Sequence, residues 1–500
     1  MDEPKKELPY NLTEKPPFAY DRAETVLLPL CFGMGYLFIR LIVGYGSGLA
    51  VALFFACVYA VTFTYMALAG IRVQNRAEST VLGILTLLLT VPFLLYDGRG
   101  GRQLVLLFCL TCVTALQLMT MLGGRKRPFR DDGMALDMLG AVTVLPFGNL
   151  GTPWKTLGTI AKRGRLVIGI LAGVIVSIPL LFIVIRLLIR ADGVFEGLMQ
   201  RVSVSENVWT TLQQFLFGIP FATVAFGMLY GLRHKGHVTV EKPMGLARTR
   251  KVPVGAAMGF LIPVCIVYAV YLVSQLAYFL GGFAGLLPEG FTYAEYARRG
   301  FFELCAVCVI NMGLILAVIC FLKTGQRALR AVLCTFFGVV SLLLTATAMA
   351  KMLLYIRVYG LTPLRMQTSW FMIALALTFV YTLLRLYIPR FRLWQTLAVT
   401  AAAMLLVFAY VDADAVALSY NINAIESGTL TASTNPTVFA GFEQYELEQM
   451  SDGIVPYLRA HEDHPAASGA LRERDLRGER EDLLYWNLST RRARTYFTQE

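Results

Sequence analysis

Along its first 410 positions the chain repeats one pattern: an apolar run of about twenty residues, then a short polar connector. A helix of that length crosses a hydrocarbon core of roughly 30 Å, so each run predicts a membrane span. Eleven such runs stand near residues 25–45, 48–70, 79–96, 102–122, 166–189, 212–232, 253–279, 300–322, 331–356, 367–388 and 393–411. Two further stretches, 131–150 and 191–211, mix apolar residues with charges and read either as interfacial helices or as loops at the headgroups. From Val411 the pattern changes. NINAIES, FEQYELEQMSDGIVPYLRA and REDLLYWNLSTRRARTYF predict short amphipathic helices joined by polar linkers, with Ser451 or Asp452 as an N-cap.

The expected fold is therefore all-α: a polytopic transmembrane helical bundle of about eleven spans with a small C-terminal α-helical extracytoplasmic domain. Its divisions are an N-terminal segment 1–24, a helical membrane domain 25–410 and a tail 411–500. Composition agrees, with 56% of residues hydrophobic and only 16% charged. Charge adds an orientation. The tail carries 8 Arg against 15 Asp and Glu, a net of −7 within a chain total of +12, so the remainder carries +19. Lys and Arg concentrate in alternate loops, among them Arg72 and Arg76, Arg125 to Arg130, Arg233 to Lys251, Lys323 to Arg330, and Arg385 to Arg392. The positive-inside rule then puts the N-terminus in the cytoplasm and the tail outside. Such a basic balance matches anionic lipid and not nucleic acid. All nine cysteines lie in apolar segments, which argues against a disulfide framework, and the charged, Pro-rich start does not resemble a cleaved signal peptide.

Candidate chemistry concentrates between Tyr268 and Tyr355. Tyr268, Tyr271, Gln275 and Tyr278 share one helical face; Glu303 opens the next span and Asn311 lies two turns further in; Thr347, Lys351 and Tyr355 form another stripe. With the inferred orientation Tyr278, Glu303, Lys351 and Tyr355 reach a similar depth near the outer face. An ionisable group held in a membrane is costly unless paired or wetted, so Glu303 and Lys351 are the leading site candidates. Bland readings compete: Glu303 pairing with Arg299, Lys351 snorkelling, and tyrosines serving as packing. The Cys305/Cys308 CxxC inside a span reads as two small apolar residues, and His461 with His464 lack further metal ligands. Asp131, Asp132 and Asp137 follow a basic run and would suit a lipid-linked transferase or a solvated helix start.

No GxxxxGK[ST], HExxH, GxSxG or dinucleotide fingerprint occurs, which weakens the common enzyme classes and calls for no cofactor. The segments SQLAYFLGGFAGLLPEGFTYAEYARRGFFELCAVCVIN, LLYIRVYGLTPLRMQTSWFM, DADAVALSYNINAIESG, MSDGIVPYL and YWNLSTRRART resemble the bacterial membrane proteins of domain-of-unknown-function family 4173 (DUF4173). That resemblance implies a bacterial cytoplasmic-membrane protein and carries no activity. Three function classes follow. The first is a non-enzymatic envelope sensor or assembly scaffold, whose tail meets a protein partner, caps the outer ends of spans seven to ten and is coupled to the bundle by Glu303 and Lys351. The second is a small-solute or proton-coupled transporter using Glu303, Lys351, Gln275, Tyr278, Tyr355 and Asn311, with Pro220 and Pro263 interrupting its helices. The third is a membrane-embedded transferase.

Overall fold

The computed structural model describes residues 18–97, 101–123, 145–163, 206–234, 252–283, 301–322, 327–429, 450–463, 465–478 and 483–496, with a few isolated positions besides. Every element among them is helical, apart from one isolated bridge between Val252 and Leu322. The membrane part holds α1 (Arg22–Leu37, extended by a π-helical turn, Phe38–Val43), α2 (Gly48–Leu68), α3 (Arg76–Leu95), α4 (Gly101–Met121), α5 (Leu145–Gly148), α6 (Thr152–Arg163), α7 (Glu206–His234), α8 (Val254–Phe283), α9 (Phe301–Phe321), α10 (Arg327–Tyr359), α11 (Pro363–Tyr387) and α12 (Leu393–Tyr410). Among the described residues nine helices, all of these except α5, α6 and α9, are long and apolar enough to cross a membrane. The run 166–189, most of 131–150 and 191–211, Asp131, Asp132 and Asp137, and His464 lie outside the described residues.

Apolar side chains gather into two separate membrane cores. One comes from α1–α4 and α7, with Ala409 at the end of α12; the other comes from α8–α11 around Phe337 and Phe379. Helix α12 packs on α11 and on α3 and so joins the two. Along α8, Phe260, Ile266, Val267, Val270 and Val273 are exposed, as a lipid-facing helix requires. The expectation that Pro220 and Pro263 interrupt their helices is not met. α7 and α8 run through them unbroken, as membrane helices do when neighbouring groups take up the freed carbonyl.

Helices α1 and α7 approach each other closely. A Cβ on Gly35 would stand 2.3 Å from the carbonyl oxygen of Gly218, and one on Gly218 would stand 2.4 Å from the Gly35 backbone. Small residues permit this approach, which supplies packing where lipid removes the hydrophobic drive. Toward the far end of the same pair sits a fully buried carboxylate. Glu24 Oε1 accepts from Tyr65 Oη at 2.9 Å and Arg233 Nη1 at 2.7 Å, and lies 2.7 Å from His234 Nε2. Its other oxygen accepts the Asp21 N–H at 2.9 Å, closing a capping box that starts α1. Arg233 also pairs with Asp21, whose carboxyl this contact holds well below the usual carboxylate range.

The tail is helical. α13 (Ala413–Glu426) leads to α14 (Val455–Ala460), α15 (Pro465–Gly478) and α16 (Leu488–Thr495). Leu418, Ile422, Ile454, Val455, Leu458, Ala470 and Leu471 build a third core distinct from those of the membrane part. Buried Arg474 ties it together, donating to the carbonyls of Leu447 at 2.6 Å and Met450 at 3.0 Å and lying 3.5 Å from Asp452 Oδ1.

Two outcomes follow from this packing. Gly218→Ala forces a methyl into backbone and is expected to cost about 1–3 kcal/mol, seen as an earlier thermal transition of the detergent-solubilised protein. Gly33→Ala, with nothing within 4 Å of its new Cβ, is expected to be neutral or stabilising. Glu24→Ala leaves Arg233 without its buried partner and is expected to cost about 3–5 kcal/mol in the same assay, with Glu24→Gln milder because its amide oxygen still accepts.

Candidate functional site

Four helix ends meet the tail at one end of the bundle: the α1–α2 turn, the α3–α4 turn, the α10–α11 turn and the α12–α13 junction. The α10–α11 turn is built by Gly360, whose φ of +79° caps α10, then by Thr362, which caps α11 ahead of Pro363. Asn421 of α13, 1% exposed, reads this turn as a backbone would. Its Oδ1 accepts the Leu361 N–H at 2.6 Å and its Nδ2 donates to the Leu361 carbonyl at 2.9 Å. A Cβ at Gly360 would stand 2.6 Å from that Oδ1, so the close seat needs glycine twice over. Arg365 braces the turn by donating to the carbonyls of Tyr359 at 3.0 Å and of Gly360.

At the α12–α13 junction Asp412 caps α13, accepting from the N–H groups of Asp414 at 3.2 Å and Ala415 at 3.3 Å. The same carboxylate takes the Ser451 hydroxyl at 2.9 Å, while Asp414 Oδ2 takes the Ser451 N–H at 2.8 Å. Ser451 thus does not cap the turn that follows it, as its position suggested; its hydroxyl is committed to Asp412. Gly453 completes the contact, since a Cβ there would lie 2.0 Å from Asp412 Oδ2. From the other side Tyr96 Oη donates to the Tyr410 carbonyl at 2.6 Å and Arg102 Nη2 to the Ala409 carbonyl at 3.3 Å. Near α2 the tail backbone lies on Gly48, and the Leu49 N–H donates to the Trp486 carbonyl at 3.1 Å. The tail therefore seats on the α1–α2 and α10–α11 turns, a wider footprint than the outer ends of spans seven to ten.

A cavity of about 230 Å³ opens beneath this seat, lined by Tyr96, Asp97, Arg102, Gln103, Gln367, Asp412, Asp414 and Ser451 with Pro92, Phe93, Leu106 and Leu364 as its apolar wall. Burial holds the Asp414 carboxyl above the usual range; Asp412 pushes the same way, and the Ser451 N–H and Arg102 oppose it. Burial likewise raises the Tyr96 hydroxyl. Among the described residues no group of three His, Cys, Asp or Glu is placed to hold a metal.

The residues singled out from the pattern divide. Asn311 is fully buried and donates to Ser341 Oγ at 2.9 Å, a polar contact between α9 and α10. Lys351 stands ten residues beyond Ser341, about 15 Å along the helix, so Asn311 and Lys351 are not brought together. Tyr355 is buried under the Arg365 guanidinium, which lies 4.0 Å from its ring centre, and Tyr268 packs edge-on against Phe337 at 6.2 Å. The side chains of Gln275, Tyr278, Glu303 and Cys305 lie outside the described residues, while Cys308 Sγ lies 3.8 Å from Thr345 Oγ1 within the α9–α10 contact. The seat residues Tyr96, Arg102, Asp412, Asp414 and Asn421 were missed as a site. Three of them lie in DADAVALSYNINAIESG, whose partners Leu361 and Ser451 lie in LLYIRVYGLTPLRMQTSWFM and MSDGIVPYL; the pattern reads these segments as helices and caps, and their convergence is a property of the fold.

Residues 83–459 match the family described as domain of unknown function DUF4153. The chain belongs to the DUF4153 family. This overturns the resemblance to DUF4173, a different family of unknown function. No curated protein and no solved structure matches the chain. The DUF4153 match runs from within α3 to the last turn of α14 and so spans most of the seat, from Tyr96 and Arg102 through Gly360 to Asn421 and Ser451.

For this DUF4153 chain, Asn421→Ala leaves both polar groups of Leu361 unmet and is expected to cost about 1–3 kcal/mol. Gly360→Ala is expected to be destabilising alone and less so beside Asn421→Ala, a non-additivity that a double-mutant melting series measures. The raised Asp414 carboxyl binds its proton more tightly folded than unfolded. The seat therefore loses stability as pH rises through the ordinary value of 3.8 toward the raised one. Asp414→Asn, whose amide oxygen still accepts the Ser451 N–H, is expected to remove that loss. Its melting advantage over the wild type then grows from about pH 4 toward neutrality.

Proposed function

We propose that this chain is a multi-pass protein of a bacterial cytoplasmic membrane, with its N-terminus in the cytoplasm and its tail outside, acting as a non-enzymatic envelope sensor or assembly protein. The observation that carries the reading is the seat itself. The tail has its own core yet is fixed to helix ends of both membrane cores, by Asn421 on Leu361 and by the Leu49–Trp486 backbone bond, while Asp412 and Asp414 hold Ser451 within the tail itself. That arrangement suits passing the state of an outer segment into the bundle. Basic loops opposite the tail support the orientation. A pairing of Glu303 with Lys351 stays part of the proposal as a second link. The Asn311–Ser341 and Cys308–Thr345 contacts set an antiparallel register that, extended two turns, brings position 303 level with Met349 and Ala350.

A small-solute transporter is the second reading, favoured by the cavity beneath the seat and its mixture of Arg102 with acids. The two readings separate experimentally. A Tyr45→Cys/Tyr485→Cys pair, replacing rings whose centres lie 4.6 Å apart, is oxidised to lock the tail, with loss of free thiol checking that the disulfide has formed. In a strain lacking the wild-type gene, the locked form and Asn421→Ala are both expected to alter resistance to envelope stress at unchanged membrane levels. A locked form indistinguishable from the wild type would sink the sensor reading, and solute accumulation in proteoliposomes would replace it with transport.

A further inference from the structure

The cavity beneath the seat joins charges of both signs, and its contents follow from that mixture. Arg102 spends one of its five N–H donors on the Ala409 carbonyl at 3.3 Å, while its guanidinium carbon lies 5.8 Å and 5.9 Å from the ring centres of Tyr96 and Phe408. Among the described residues it makes no ion pair, so the rest of its fork is left to the cavity it lines. Two helices begin on the same wall, α4 at Gly101 and α11 at Pro363, and each presents the positive end of its dipole there. Opposite stand Asp412 and Asp414, held in place by Ser451.

Neither sign alone is served by such a site. A plain anion would meet three carboxylates, Asp97, Asp412 and Asp414, and a plain cation would meet Arg102 and two helix N-termini. A divalent metal has no three-ligand cluster among the described residues. A cavity of about 230 Å³ exceeds many times over the roughly 10–15 Å³ that one water needs on the same measure, which leaves room for a small organic molecule. We propose that it binds a small zwitterion, with an anionic group on Arg102 at the start of α4 and an ammonium between Asp412 and Asp414. Two sources carry that chemistry: a phosphoethanolamine headgroup of a lipid, or a free amino acid. The apolar wall of Pro92, Phe93, Leu106 and Leu364 is compatible with either. The proposal deepens the seat reading, because a ligand touching Asp412 and Asp414 would bear on the groups that hold Ser451.

The test is calorimetric titration of the full chain in an uncharged detergent with phosphoethanolamine and glycine, set against their halves, inorganic phosphate and ethanolamine for the first and acetate and methylamine for the second. One zwitterion is expected to bind at least about tenfold more tightly than either half, and Arg102→Gln to weaken it by a similar factor. Arg102→Lys, which keeps the charge but loses the fork, is expected to fall between. Binding of phosphoethanolamine and dispersed phosphatidylethanolamine without glycine assigns a lipid headgroup; binding of glycine without them assigns a free amino acid. The idea is overturned if no zwitterion binds, if one half binds as tightly as the whole, or if Arg102→Gln binds unchanged. The wild-type series alone decides two of these outcomes, whatever the variants do to folding. Because binding is read on the purified chain, its failure leaves the disulfide-lock result to judge the seat separately.

Discussion

The structure turns on a pair of hydrogen bonds between one side chain and the backbone of one residue. Asn421 offers an amide to Leu361 in the orientation a neighbouring strand would use, and so meets both polar groups of a residue that a tight helix turn leaves unmet. The rest of the seat is arranged around that constraint. Gly360 clears room for the amide oxygen, Thr362 and Pro363 start α11 at once, and α13 must lie across the turn for Asn421 to reach it. Asp412, two residues beyond α12, then fixes where α13 begins, and Ser451 inherits its position from Asp412 and Asp414.

The Glu24 cluster solves the opposite problem near the other end of the α1–α7 pair. A carboxylate with no exposed surface is tolerable only when its charge is matched and its lone pairs are filled, and Tyr65, Arg233, His234 and the Asp21 N–H together do both. With the Gly35–Gly218 contact further along the same pair, α1 and α7 are fixed both laterally and in register. Gln117 plays a lesser part of this kind among α2, α3 and α4, accepting from Thr86 Oγ1 at 3.1 Å and from Tyr59.

The spans were legible because their length is dictated by the bilayer, and a twenty-residue apolar run has few other uses. The chemistry was less so. Asp21 to Glu24 reads locally as a capping box, which it is, and nothing nearby announces that Arg233, some 209 residues later, shares the same carboxylate. Arg102 and Tyr96 sit where a span ends and look like interfacial residues; Asp412 looks like an ordinary helix cap, and is one. Each has a sufficient local explanation, and only the fold gives it a second. Glu303 and Lys351 drew notice for another reason, since an ionisable residue in an apolar run is costly, even though pairing with Arg299 and snorkelling offer each a local explanation. Asn311 shows what such a residue can be: a fully buried amide bonded to Ser341 across two helices.

Chain connectivity gives the seat its reach. Helix α12 packs on α11, which belongs to one membrane core, and carries near its end Ala409, which belongs to the other. The last two carbonyls of that helix, at Ala409 and Tyr410, are held by Arg102 and Tyr96 from the α3–α4 turn. The next residues are Val411 and then Asp412, so any shift of the tail that moves α13 acts directly on a helix touching both cores. Gly453, packed against the Asp412 carboxylate with no room for a methyl, makes the link stiff on the tail side as well. A rigid contact at each end of a short connector transmits displacement, whereas a flexible one absorbs it. The close fit of Gly360 and Gly453 around Asn421 and Asp412 is therefore the feature on which the proposed relay between tail and bundle rests.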